Sequence, residues 1–193
     1  MKPSIFLASL LGATCLAQAH THFFQATLSG ANEDIPNGSP AIGTSLVTLD
    51  LDLVEMLVQI SFSGLAGGST AAFIHAPTIF PLTGIAGPMT PALSDTGFPL
   101  GVTSGTYSHV FDLTVASGYN PSFITSSGGA VFQALIALEA SFEDGTAYLS
   151  LQSSAFPNGE IRGFYTEIVP VPEPASLSMI GAAGCCLFSR RRR

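Results

Sequence analysis

The sequence predicts an all-β fold, an antiparallel β-sandwich or flattened barrel. Three observations carry this: apolar residues alternate with polar ones in most segments, glycine and proline cluster between those segments, and hardly any stretch has helical spacing. Taken in order, a first strand at 22–29 stops before Gly30. A second at 43–53 alternates Val47, Leu49, Leu51 and Leu53 with Thr48, Asp50 and Asp52. A third at 56–63 alternates Val58, Ile60 and Phe62 with Gln59, Ser61 and Ser63, and ends at the glycines of 64–68. A fourth at 70–75 leads into a long proline- and glycine-rich excursion at 76–106, and long ordered loops are where function tends to sit. A fifth at 107–116 repeats the pattern with His109, Phe111, Leu113 and Val115. Residues 131–142 carry two periods: Val131, Phe132, Leu135 and Leu138 fit a helical stripe, while Val131, Gln133, Leu135, Ala137 and Glu139 alternate. A strand is assigned there because Glu143-Asp144-Gly145 reads as a hairpin turn, Asp-Gly adopting positive φ readily. Strands at 146–152 (Ala147, Leu149, Leu151) and 161–169, the latter after Pro157-Asn158-Gly159, complete the set.

Both ends of the chain read as addresses. Met1 and Lys2, an apolar stretch from Ile5 to Leu16, and Ala17-Gln18-Ala19 make a secretory signal peptide over 1–19, cut between Ala19 and His20. Cys15 does not make it a lipoprotein, because Gly12-Ala13-Thr14 lacks the branched apolar residue such signals carry upstream. At the other end, 170–193, stand Val171, Pro172, Glu173 and Pro174, an uncharged run from Ala175 to Phe188, and then Arg190, Arg191, Arg192 and Arg193. Clustered arginines behind an apolar segment stay on the cytoplasmic side of a membrane. A helix over the apolar run would be about 21 Å long against a hydrocarbon core of about 30 Å. The transmembrane segment at 175–189 is therefore a short hydrophobic helix, better suited to a transient hold than a permanent one. A plain tail anchor is the competing reading.

Removing the ends changes the composition. All three cysteines (Cys15, Cys185, Cys186) lie in the terminal segments, so the central region 20–169 has neither disulfide nor thiol chemistry. One arginine, Arg162, faces 12 acidic side chains there, leaving a formal charge of about −11, against −7 for the whole chain. Such a surface repels nucleic acid and attracts cations or basic partners.

Two resemblances follow from these residues. The Pro172-Glu173-Pro174 motif, the apolar run and the basic tail, in that order, resemble the PEP-CTERM sorting signal of Gram-negative bacteria. That resemblance implies an inner-membrane intermediate, processing by an exosortase-like membrane enzyme after passage through the secretion machinery, and release to the cell surface. Four segments of the central region resemble the CHRD domain: Phe24 to Glu33, Ile60 to Leu65, Ala72-Phe73-Ile74-His75 and Phe156 to Gly163. The resemblance implies an immunoglobulin- or superoxide-dismutase-like β-sandwich of unsettled biochemical role. CHRD domains commonly carry His-x-His where this chain has Phe73-Ile74-His75, and a histidine where it has Gln152, so an inherited metal site lacks two ligands here.

Few residues invite chemistry. Arg162 and Glu33 are expected to form a structural ion pair, first and last strands being frequent neighbours. Signal cleavage would expose His20-Thr21-His22, whose amine, backbone amides and third-position imidazole suit the square-planar preference of Cu(II). His75 is a further candidate ligand. His75 and His109 are otherwise expected to be hydrogen-bonded scaffold residues. Asp50, Asp52, Glu55, Glu143 and Asp144 lack the spacing of a calcium loop and are expected on strand faces. No nucleophile elbow, zincin helix, phosphate loop or central cysteine is present, so no enzyme is expected, although any two of the 12 carboxylates could still pair in a glycosidase cleft. The expected function is that of an exported, non-enzymatic surface or matrix module without a cofactor, associated with exopolysaccharide or other surface material. A copper-binding or redox protein using His20, His22 and His75 is the alternative.

Overall fold

A computed structural model describes residues 20–168. Eight antiparallel strands form one curled sheet: β1 (Thr21–Ser29), β2 (Ile42–Asp50), β3 (Glu55–Ser63), β4 (Ser69–His75), β5 (Gly105–Asp112), β6 (Tyr148–Ser153), β7 (Ile161–Phe164) and β8 (Thr166–Glu167). Their order across the sheet is β4-β6-β7-β1-β2-β3-β5, with β8 continuing beside β1. The all-β expectation holds, and seven of the eight expected strand segments are strands. The alternation explains why. Phe24, Ala26 and Leu28, Val47 and Leu49, and Met56, Val58, Ile60 and Phe62 all face one buried core, and their polar neighbours face out. Fully burying each large apolar side chain of this set contributes about 1.5–3 kcal/mol.

The boundaries shift where turn chemistry competes with alternation. Leu51 and Leu53 continue the period of β2, yet the strand ends at Asp50. Its Oδ1 accepts hydrogen bonds from the Asp52 and Leu53 N–H groups (3.0 and 2.9 Å), an Asx turn that reverses the chain through Val54 at φ +57°. Leu53 is left exposed. In the same way β5 stops at Asp112, whose carboxylate accepts from Thr114 N–H (2.8 Å) and Thr114 Oγ (2.6 Å). The last expected strand is broken at Tyr165, whose ring turns into the core against Phe142 while its hydroxyl meets Ser45 Oγ at 2.7 Å.

One expected strand is a helix. Residues Val131–Glu143 form α2, preceded by the short α1 (Pro121–Ser126), which Asn120 caps by accepting from Ser122 N–H at 2.9 Å. Ala134, Leu138, Ser141 and Phe142 are buried, while Gln133 and Ile136 are exposed, a burial pattern only the helical period produces. The Ala- and Leu-rich interior favours it as well. Gly145 does take positive φ (+66°), but to end α2 rather than to turn a hairpin. Its N–H donates to Phe142 O (3.2 Å) and that of Thr146 to Ser141 O (2.9 Å), the paired bonds of a Schellman motif. Helix α2 closes the inner face of the sheet, with Phe142 against Phe24 (centroids 5.0 Å) and Tyr165 (5.1 Å).

Candidate functional site

The outward side chains of β1, β2, β3 and β5 are set in ranks by the register. Thr27, Thr44, Ser61 and Thr106 are successive partners across the four strands, and so are Gln25, Leu46, Gln59 and Ser108. Neighbouring strands stand about 4.8 Å apart, so the first rank is a row of four hydroxyls at that spacing. Three of the four members of the second rank are polar as well. A hollow of about 700 Å³ lies over both ranks. A second, of about 550 Å³, adjoins it through Gln25 and Ile168, which line both. It sits between β1 and β8, where the amide of Asn32 and the hydroxyls of Thr27 and Thr166 face Phe164 and Leu82. None of the residues lining either hollow is charged. The result is an elongated, neutral strip of hydroxyl and amide groups interspersed with Leu46, Leu82 and Ile168, with the Phe164 ring at one end. In the sequence its members are only the outward half of the alternation. The strand register is what brings them into rows.

Arg162 supports one end of this strip from beneath. It is buried, its Nε donates to Asn32 O, and its Nη1 donates to Gly84 O at 3.0 Å. The guanidinium lies 5.2 Å from the Tyr148 ring centre and 5.4 Å from that of Phe164, both within cation–π range. Its carboxylate contact is with Asp34, at 3.9 Å, and the expected ion pair with Glu33 is not formed. The reason is local. Glu33 turns towards the Cα of Gly159, and its Oε1 is buried without a hydrogen-bond partner. Burial pushes its pKa up to about 7, against the opposing pull of Arg162. Glu160, between Gly159 and Arg162, is fully buried. Its Oε1 accepts from Ser39 Oγ (2.6 Å) and Ala66 N–H (2.7 Å), tying the two loops that flank β2 and β3.

The histidines do not converge. His20 is exposed beside Asp52, with Nδ1 3.3 Å from Oδ1. His75 is on edge strand β4, stacked on Tyr148 (4.9 Å) with Nδ1 3.0 Å from Ala86 O, and burial holds its pKa below the usual histidine range. His109 packs edge-on against Phe111. These contacts are those of scaffold residues, and among the described residues His20, His22 and His75 do not form a common ligand set. A group that the sequence reading missed does form. His22, Glu139 and Glu143 bring one ligand atom each to within 4.8 Å of one another, and His22 Nδ1 lies 3.1 Å from Glu167 Oε1. The signal boundary at Ala19, the motif at Val171, Pro172, Glu173 and Pro174, the short helix at 175–189 and Arg190, Arg191, Arg192 and Arg193 lie outside the described residues.

Fold and surface together define a small antiparallel β module with a neutral polar strip on the outside of its sheet. The CHRD domain model matches residues 24–165, most of the chain, and the protein belongs to the CHRD domain family. No curated protein and no solved structure matches it.

Proposed function

We propose that this chain is an exported, non-enzymatic surface module that binds neutral polysaccharide along the outer face of its sheet. The observation that carries the reading is the uncharged strip of ranked hydroxyls and amides, running from Thr106 and Ser108 across β3 and β2 to Asn32 and Phe164. Hydroxyl and amide side chains exchange hydrogen bonds with sugar hydroxyls, and an aromatic face packs on the apolar side of a pyranose. A length spanning several strands suits a polymer better than a single sugar. The surrounding acidic surface disfavours polyanions, so the glycan partner is a neutral one.

Export rests on the terminal sequences: a signal peptide ending at Ala19, and a tail resembling a PEP-CTERM signal, which an exosortase-like enzyme in the inner membrane of a Gram-negative cell would process. Mass spectrometry of the protein recovered from extracellular material tests this half of the proposal. A first residue of His20 and loss of Arg190 to Arg193 are expected. An intact Arg193 on surface material contradicts the sorting step. Retention of the protein in gels containing the host's own exopolysaccharide tests the other half.

A further inference from the structure

We propose that His22, Glu139 and Glu143 form a binding site for a hydrated divalent cation of the manganese class, separate from the polar strip. The three ligand atoms stand within 4.8 Å of one another, which lets a single ion touch all of them. They come from two elements: His22 from the start of β1, on the sheet's inner side, and the two glutamates from the last two turns of α2.

Three features argue that a cation belongs there. First, His22 is held as metal-binding histidines are held. Glu167, on β8 and outside the trio, accepts from Nδ1–H at 3.1 Å, which fixes the tautomer and leaves Nε2 as the free donor to a metal. Stacking of the ring on Phe24 (6.3 Å, 12° between planes) restricts it further. Second, Glu139 and Glu143 are four residues apart on one helix, where like charges repel. Third, both sit at the C-terminal end of α2, where the helix dipole already disfavours anions and no basic residue occupies the last turn. Among the described residues the only Lys or Arg is Arg162, and its contacts are with Asn32, Gly84 and Asp34. Three carboxylates thus converge on one half-buried imidazole without a lysine or arginine to compensate them.

The donor set narrows the choice of ion to a divalent first-row metal that accepts imidazole and carboxylate together. One imidazole and two carboxylates are a poor match for calcium or magnesium, which take oxygen alone, and for Cu(II), which favours a nitrogen-rich square plane. An exposed Glu143 leaves coordination positions open to water, as an octahedral Mn²⁺ requires. Mn²⁺ also ignores the thiols of Cys15, Cys185 and Cys186, which makes it the clean probe for the full chain.

The test is titration of the chelator-treated full-length chain with MnCl₂, followed by the loss of the free-ion electron paramagnetic resonance signal. One equivalent bound at micromolar free ion is expected. Glu139→Gln and Glu143→Gln should each abolish it, and Glu167→Gln should weaken it about tenfold, because Glu167 holds the His22 ring rather than the ion. His20→Ala should leave it unchanged. Metal-free Glu143→Gln should melt at or above the parent temperature, because a repulsion is removed. Failure of Mn²⁺ to bind, or binding untouched by the Glu139 and Glu143 variants, overturns the proposal. So does a metal-free Glu143→Gln that melts lower, because Glu143 would then be an ion-pair partner of His22.

Discussion

Glu33 should make this fold weaken as pH rises, and Glu33→Gln should remove the effect. The unfolded chain gives up this proton near 4.5, whereas the folded chain keeps it to about 7, because burial against Gly159 opposes the anion more than Arg162 favours it. The folded pKa is raised, so the stability this proton contributes is complete below 4.5 and is lost as pH climbs through the window from 4.5 to 7. At about 1.4 kcal/mol per pH unit the unscreened loss would be about 3.4 kcal/mol. Glu33 keeps a solvent-facing side, and screening there reduces the loss to about 1.5 kcal/mol. For a domain near 150 residues that corresponds to about 3–6 °C in melting temperature. Thermal denaturation of parent and Glu33→Gln chains at pH 4.5 and pH 8.5 reads it directly. The variant should melt with the parent at the lower pH and about 3–6 °C above it at the higher. A variant that gains nothing at pH 8.5, or loses stability there, would refute the reasoning, because Glu33 would then be a stabilising anion paired with Arg162.

Other expected outcomes follow from the same contacts. Arg162→Ala strips hydrogen bonds from Asn32 O and Gly84 O and empties a buried site against two rings, so chemical denaturation should register a loss of about 3–5 kcal/mol. Arg162→Lys should recover only part of it, since an ammonium cannot reproduce the planar fork. Leu138→Ala should cost about 2–5 kcal/mol and Gln133→Ala almost nothing, since α2 buries the first and exposes the second. The reverse order, a larger cost at Gln133 than at Leu138, would favour the alternating, strand-like arrangement of that segment instead, because that arrangement puts the two residues on opposite faces.

How much of this was legible in the sequence differs from element to element. Val58, Ile60 and Phe62 lie on a long alternating run with no competing signal, and β3 appears where the pattern puts it. At 131–142 both periods are present, and the deciding information was tertiary: the sheet's inner face needed a cover, and the stripe of Ala134, Leu138 and Phe142 supplies it. Gly145 was correctly read as a positive-φ residue, yet a positive φ ends a helix as readily as it turns a hairpin. That one misreading also hid the cation cluster. On a strand, Glu139 and Glu143 would stand about 13 Å apart, whereas on a helix they are about 6 Å apart and can share a ligand. The Arg162 partner was misplaced by a single residue, from Asp34 to Glu33, because which carboxylate faces the guanidinium depends on how the chain leaves β1. The long excursion at 76–106 is expected to carry function, and it contributes Leu82 and, at its far end on β5, Thr106 to the strip, and Gly84 O to Arg162.

The most direct test of the proposed role is affinity electrophoresis of the full-length chain through gels containing neutral polysaccharide from its host, beside the double variant Gln25→Ala/Gln59→Ala. Both glutamines are exposed and one register rank apart from the row of hydroxyls, so the variant should keep the parent's melting temperature. A polysaccharide-binding strip predicts that the parent is retarded and the variant migrates freely. Equal mobility of the two, whether both are retarded or neither is, contradicts it.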